Sequence, residues 1–331
     1  MSTQLILNKR GTSLSVRNGM FLIRTPEFEK TVATHLVKSI CLHPSTKLTH
    51  EVVQITIQEQ IDLLFFDKKG FPIGRIWSNK FGSISTIRKN QILFAKSEKA
   101  HSWVRELILR KSNNQKMMVK ILQGWDPILE DPANEILLKM NKYHQKIEEL
   151  PLHDRSEFFA TLRGIEGIIS KLYFGFIAQS LPKPLQFERR SQRPAKDKFN
   201  AMLNYTYGML YGQVESALIR AGIDPYLGIF HRDEYNRPVL SYDFIENYRV
   251  WADYVVCHLC FQEIIEDTCF SVKDGIYWIE SEGKRILITA MNSYLAEIVE
   301  FGGLRRSRQT HIDLDAQNFA STLKQFVGDD A

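Results

Sequence analysis

Residues 91–122, QILFAKSEKAHSWVRELILRKSNNQKMMVKIL, divide the chain into two textures. Here the apolar residues recur at the 3.6-residue period of a long, charged amphipathic helix. The chain before them reads as strands and turns up to about residue 88. Ser13–Arg17 and Met20–Arg24 flank Asn18-Gly19, a pair that tolerates the positive φ angles of a type I′ turn and so predicts a hairpin. A second pairing is expected where residues 61–66 meet residues 73–77 across Asp67-Lys68-Lys69-Gly70. Residues 52–57 alternate with polar positions and are expected to form a further strand. The chain beyond residue 122 mostly keeps the helical period. One late hairpin is expected, residues 276–280 with 285–289 across Ser281-Glu282-Gly283-Lys284. The polar, basic tail after Gly303, with Arg305, Arg306 and Arg308, is expected to be partly mobile. The fold class is thus α+β in two domains: a small β-sandwich over 1–88, then a larger, mostly α-helical domain over 89–331.

Composition narrows the functions. The 331 residues are 44% hydrophobic and 11% aromatic, enough for real cores and against disorder. A net charge of +5 permits a polyanionic partner without demanding one. Lys9 interrupts the start before any long apolar stretch, so no secretory signal is expected. Apolar runs such as 63–66 and 172–178 are far short of the roughly 20 residues of a membrane span. Four cysteines in so long a chain do not suggest a disulfide framework, and a reducing cytoplasm is the expected compartment. Cys257 and Cys260 form a CxxC within VVCHLCFQEII, an apolar segment of helical period where core packing is expected, not zinc or redox chemistry.

Three acidic or imidazole positions attract attention. Residues 155–179 read as one helix whose stripe is Phe158, Leu162, Ile165, Ile169, Leu172 and Phe176. Glu166 lies on the shoulder of that stripe between Gly164 and Gly167. Each mid-helix glycine costs about 1 kcal/mol relative to alanine, so close approach by another backbone or a phosphate is expected there. A glutamate at a tight helix crossing fits the same segment. Further on, Asp224-Pro225 turns the chain, a short apolar piece delivers His231, and a new helix is expected from Ser241. On it Asp243, Glu246, Arg249 and Asp253 would share one polar edge, so that Asp243 and Glu246 could converge on an ion. One imidazole with two or three carboxylates suits Mn²⁺ or Mg²⁺ better than a thiolate-preferring ion, although zinc also accepts His and Glu. A hydrogen-bonded core histidine and acids that favour a helix dipole fit the same spacing.

In order along the chain stand RGIEG (163–167) with Tyr173-Phe174 after it, FERRSQRPAKDKFNAMLNYTYGMLY (187–211), GIDPYLGIFH (222–231) and RPVLSYDFIENYR (237–249). Together they resemble the successive signatures of the CRISPR-associated integrase family Cas-one (Cas1). GMFLIRTP (19–26), IDLLFFDKKGFPIG (61–74) and RKNQILFAKSEKAHSWVRELILRKSNNQ (88–115) resemble that family's β domain and first long helix. YWIESEGKRIL (277–287) resembles its C-terminal hairpin. The resemblance implies a homodimer formed largely through the β-sandwich, a helical catalytic domain, and assembly with the small CRISPR-associated partner Cas-two (Cas2). It places Glu166, His231 and Glu246 at the family's metal-ligand and catalytic positions. Many members carry Asp at the third, so Asp243 is kept as a second-rank ligand.

The implied activity is that of a metal-dependent DNA endonuclease and integrase of CRISPR adaptation. A fragment's 3′-hydroxyl attacks a phosphodiester of the repeat, without nucleotide hydrolysis or a covalent enzyme intermediate. The double-stranded fragment and target must then be held by their backbones. Arg189, Arg190, Arg193, Lys196 and Lys198 form a candidate phosphate strip, with Arg163 a further candidate near the metal. Tyr205 and Tyr207 could stack on frayed bases or fill the core. The rival readings are a catalytically silent DNA-binding scaffold of the same fold, the integrase of a mobile element, and a plain repair nuclease.

Overall fold

The computed structural model describes residues 3–67, 72–76, 84–152, 155–232 and 235–327. Lys68, Lys69, Gly70 and Trp77 of the second expected hairpin, and Asp233 and Glu234 after His231, lie outside that set. The chain divides into two compact units, Met1–Gly82 and Ser83–Ala331.

The first unit is built from β1 (Thr3–Leu7), β2 (Ser13–Arg17), β3 (Met20–Arg24), β4 (Glu29–Ala33), β5 (Val37–Leu42), β6 (Lys47–Leu48), α1 (His50–Gln58), β7 (Asp62–Phe66) and β8 (Pro72–Ile76). The strands form two sheets, ordered β1-β5-β7-β8 and β4-β3-β2-β6. Leu5, Ile40 and Leu63 from one sheet meet Leu14, Phe21 and Ile23 from the other in a common core. The β2–β3 hairpin turns on Asn18 and Gly19 at φ of 52° and 72°, the left-handed pair its sequence predicts. Strands β7 and β8 pair antiparallel, again as expected. Residues 52–57 do not form a strand. They lie in α1, because Val52 and Thr56 are the buried pair, four apart on one helical face. The alternation of Val53, Ile55 and Ile57 marks only half-buried positions.

The second unit runs α2 (Ile84–Lys96), α3 (Glu98–Trp125), α4 (Glu130–Glu148), α5 (Arg155–Ser180), α6 (Lys198–Arg220), α7 (Val239–Phe244), α8 (Arg249–Phe261), β9 (Phe270–Lys273), β10 (Ile276–Ile279), α9 (Ser281–Ala296), β11 (Ile298–Phe301), β12 (Leu304–Ser307) and α10 (Arg308–Gln325). A boundary at 88/89 would cut through α2, whose Ile87, Gln91 and Phe94 are buried in this unit. The core lies between α3, α5, α6 and α8, around Tyr173, Phe176 and Phe199. Cys257 and Cys260 of α8 are fully buried there, and desolvation pushes the Cys260 thiol up to about 12. Inert packing fits both thiols.

One C-terminal expectation fails. The hairpin is β9–β10, turning on Asp274 and Gly275 at φ of 53° and 70°. Residues 281–289 belong to α9 instead. Gly283 is no turn glycine: a Cβ there would stand 2.8 Å from Ile279 Cγ2, so glycine lets α9 close against β10. The basic tail, as far as residue 327, carries regular structure as well. It completes the β11–β12 hairpin, and then the Ser307 hydroxyl accepts from the Thr310 amide at 3.2 Å to cap α10. Ile312, Ala316, Phe319 and Leu323 of α10 are buried. The Asn90 amide of α2 donates to the terminal carbonyls of Leu323 and Phe326, at 2.8 and 2.9 Å.

Candidate functional site

Glu166 sits half-buried on α5, on the shoulder of the stripe that packs into the core. The Ser170 hydroxyl, one turn on, donates to Glu166 Oε1 at 2.8 Å. Helix α3 packs along α5 and delivers a residue that the motifs leave out. Lys111, buried, donates its ammonium to Glu166 Oε1 and lies 2.5 Å from Glu246 Oε2. Gly164 and Gly167 do not serve helix packing: a Cβ at either would meet no described atom within 4 Å.

Glu246 is not on a continuous helix with Asp243. Between α7 and α8 the chain tightens into a 3₁₀ turn, Ile245–Asn247, and leaves helical geometry at Tyr248, where φ is −121°. Two side chains from elsewhere hold that break. Asn114 of α3 donates to the Asn247 carbonyl at 2.9 Å, and the Tyr248 phenol donates to Asp315 Oδ2 at 2.5 Å. Asp243 and Glu246 both precede that break, yet they do not converge on one point, because the tightened turn gives them different partners. Asp243 is fully buried and accepts the amides of Ile229, Phe230 and His231 at 2.8, 3.0 and 3.0 Å. Its Oδ1 also stands 2.6 Å from His231 Nδ1. This one carboxylate fixes both the backbone that presents His231 and the orientation of its ring, leaving Nε2 as the nitrogen for a ligand.

Both oxygens of Glu246 face cations. Opposite Lys111, Arg249 Nε donates to Glu246 Oε1 at 2.8 Å, and Arg249 Nη2 donates to the Tyr211 hydroxyl at 2.6 Å. Burial opposes charge on Glu246, but Arg249, Lys111 and His231 together hold its carboxyl at about 2. The same balance acts on Lys111: burial works against its ammonium, and Glu246 and Glu166 raise it above the ordinary value. Burial also disfavours the His231 imidazolium, and the Asp243 hydrogen bond and charge outweigh this, leaving the ring more basic than usual.

The basic strip breaks into two kinds of residue. Arg189, Arg193 and Lys196 are exposed. Arg190 is not a surface contact: it donates at 2.6 Å to each of Asn200 Oδ1 and Asn204 Oδ1, with its guanidinium over the Tyr207 ring. Lys198 is mostly covered and donates to Asp267 Oδ1 at 2.6 Å. Tyr207 is buried and donates to Asp253 Oδ1 at 2.7 Å, so it cannot stack on a base. Arg163, one turn before Glu166, donates to the Phe230 carbonyl at 3.2 Å, beside His231.

The donors suit a hard divalent ion: two carboxylates already drawn around one cation and an imidazole oriented by a third. Among the described residues no three His, Cys, Asp or Glu side chains yet stand together as a metal-holding group. Lys111 fills the space between the two glutamates, and His231 lies to the side on Asp243. Lys111 escapes motif reading, yet the sequence does signal it. Val104, Ile108, Lys111, Gln115, Met118 and Leu122 recur at alternating spacings of four and three, all buried. A lysine on such a stripe requires a buried anion to meet it.

Comparison with known proteins places this geometry. Residues 5–293 match the family described as CRISPR associated protein Cas1. The chain is 25% identical over 339 aligned residues to the CRISPR-associated endonuclease Cas1 1 of Archaeoglobus fulgidus, covering 97% of this chain and 96% of that one. Two solved structures share its fold. A casposase bound to integration product superposes with a TM-score of 0.81 at 20% identity, over 98% of this chain and 91% of that one. A Cas6-RT-Cas1–Cas2 complex superposes at 0.77 with 18% identity, over 97% of this chain and 35% of that chain. A match across most of the length, collinear with the motifs that carry Glu166, His231 and Glu246, means that the chain belongs to the CRISPR-associated Cas1 family.

Proposed function

We propose that this Cas1 chain is a metal-dependent DNA endonuclease and integrase that inserts short DNA fragments into a CRISPR repeat array. The observation that carries the reading is the acid pair, half-buried Glu166 and buried Glu246, gathered around a cation beside a histidine that Asp243 orients. Glu166, His231 and Glu246 would hold Mg²⁺ or Mn²⁺, which lowers the pKa of an attacking hydroxyl and offsets charge on the phosphate. Asp243 serves as a positioning residue, since its oxygens are already taken by backbone amides and the His231 ring. Arg249 holds Glu246 ionised, and Arg163 steadies the carbonyl beside His231 with its charge near the reacting phosphate.

In strand transfer the fragment's 3′-oxygen bonds to the target phosphorus while the bond to the target's own 3′-oxygen breaks. The attacking hydroxyl loses a proton and the leaving alkoxide gains one. No oxidant or nucleotide enters. Arg189, Arg193 and Lys196 contact backbone phosphates of fragment or target. A homodimer formed through the first unit, assembled with the small Cas2 protein, is the proposed working form.

The test gives purified protein and its Cas2 partner a short duplex with free 3′-hydroxyls and a supercoiled plasmid bearing the repeat, with Mn²⁺. Joining is expected for wild type and a loss of at least about 10²-fold for Glu166→Ala, His231→Ala and Glu246→Ala. Folded wild type that binds DNA but never joins it would favour a silent scaffold. The likeness to a casposase supplies a second reading, an integrase of a mobile element. Joining to terminal inverted repeats in preference to the CRISPR repeat would support it.

A further inference from the structure

Lys111 comes from α3, a helix that supplies neither of the acids it joins. Its ammonium contacts one oxygen of Glu166 and one of Glu246, the place where a shared divalent ion would bind the same two carboxylates. Glu166 and Glu246 carry two negative charges; Lys111 and Arg249 carry two positive ones, so the cluster is neutral as it stands. A divalent ion added to it would leave two uncompensated positive charges in a largely buried site. One of the cations has to withdraw.

Arg249 is pinned. It is tied to Glu246 and to the Tyr211 hydroxyl, and its guanidinium lies 4.9 and 5.4 Å from the ring centres of Tyr207 and Tyr211. Lys111 reaches its partners on four methylenes and holds them by a single ammonium, so rotation of its stem removes the charge without moving the helix. Resting on the metal reading above, we infer that the Lys111 ammonium is the resident counter-ion of the Glu166–Glu246 pair, and that a divalent cation binds by displacing it. Lys111 is thus a positioning residue: it holds the two carboxylates together until the metal arrives, and it competes with the metal for them.

The test is Mn²⁺ binding to the full chain, read as loss of the free-ion EPR signal, for wild type, Lys111→Met and Glu166→Gln. Methionine keeps the apolar stem and removes the competing charge, so Lys111→Met is expected to bind Mn²⁺ about tenfold or more tightly than wild type. Glu166→Gln is expected to lose saturable binding. Saturable binding in wild type that is lost in Glu166→Gln but equal or weaker in Lys111→Met would overturn the counter-ion inference and leave the metal site standing. Absence of saturable binding in wild type as well would remove both. Because Lys111→Met could fail to fold without metal, wild type provides a second measurement. Acetylation of Lys111 by an amine-reactive ester, read by mass spectrometry, should rise several-fold when Mn²⁺ replaces chelator. A Lys111 that stays equally protected overturns the displacement.

Discussion

Two buried carboxylates seven residues apart, Glu246 and Asp253, are held in opposite ways. Both are almost wholly inaccessible, and burial opposes ionisation of each. Glu246 faces an ammonium and a guanidinium, and its carboxyl is driven down to about 2. Asp253 accepts from two phenols, Tyr173 and Tyr207, each at 2.7 Å. Those hydrogen bonds do not offset desolvation, and its carboxyl rises to about 6. Formal charge on the contacting partner, rather than depth, decides the direction in which each carboxyl shifts. The lowered one stands where a metal is proposed, and the raised one is tied to Tyr173 and Tyr207, with the guanidiniums of Arg190 and Arg249 both near the Tyr207 ring.

Removing one partner from the charged cluster is the strongest way to break this contrast. Glu246→Gln leaves Lys111 with Glu166 alone and Arg249 with the neutral Tyr211 hydroxyl. A loss of about 3–5 kcal/mol is expected for a broken buried ion pair. Urea unfolding followed by the fluorescence of Trp103, Trp125, Trp251 and Trp278, all in the second unit, measures it. A loss below about 1 kcal/mol would mean that the cluster behaves like a solvated surface pair.

Asp253 predicts a pH dependence of the opposite kind to the usual carboxylate. Its folded carboxyl, at about 6, lies above the ordinary value of 3.8, so between those values the folded state keeps a proton that the unfolded chain has released. Its contribution to stability is therefore fully present below about pH 4, falls as pH rises through 6, and is constant above. The rise from 3.8 to about 6 corresponds to about 3 kcal/mol. Asp253→Asn, neutral throughout, should flatten the fall between pH 4 and 6 in the same unfolding experiment. An unchanged slope would assign it to other groups.

Local signals in the sequence carried further than continuity did. Asn18-Gly19 and the α5 stripe ending at Phe176 read correctly because a turn dipeptide and a helical face are each specified within a few residues. The 239–261 segment did not, since its apolar residues keep helical spacing straight through the break. Asn114 and Asp315, distant in sequence, hold the chain where it leaves the helix. The same limit hid the work of Asp243, which depends on three amides of a loop 12, 13 and 14 residues away. Asp274-Gly275 was as legible as Asn18-Gly19, but the apolar run after it, Ile276–Ile279, is followed by a second turn-like stretch at Gly283, a glycine required by packing. The family motifs single out Glu166 and Glu246, which the fold brings onto one cation. Lys111 was legible by period alone, as a charge on a buried stripe.

The contrast between charged groups locked into the fold and those at its surface extends to the basic strip, where the smallest effect is expected. Arg190 is engaged by Asn200, Asn204 and two aromatic rings, whereas Arg189, Arg193 and Lys196 reach solvent. Five basic residues in a row of ten therefore amount to three at the surface. Removing one phosphate contact should lower the slope of log affinity against log salt by roughly 0.9 for duplex DNA. Arg189→Ala, Arg193→Ala and Lys196→Ala are expected to flatten that slope by about one each, with unfolding unchanged. Arg190→Ala should do the reverse, leaving the slope in place and costing stability, because Asn200 and Asn204 lose a buried donor and Tyr207 one of its two cations. Equal slopes for all four variants would mean that the strip does not touch DNA, and the phosphate contacts would have to be sought on another face of the second unit.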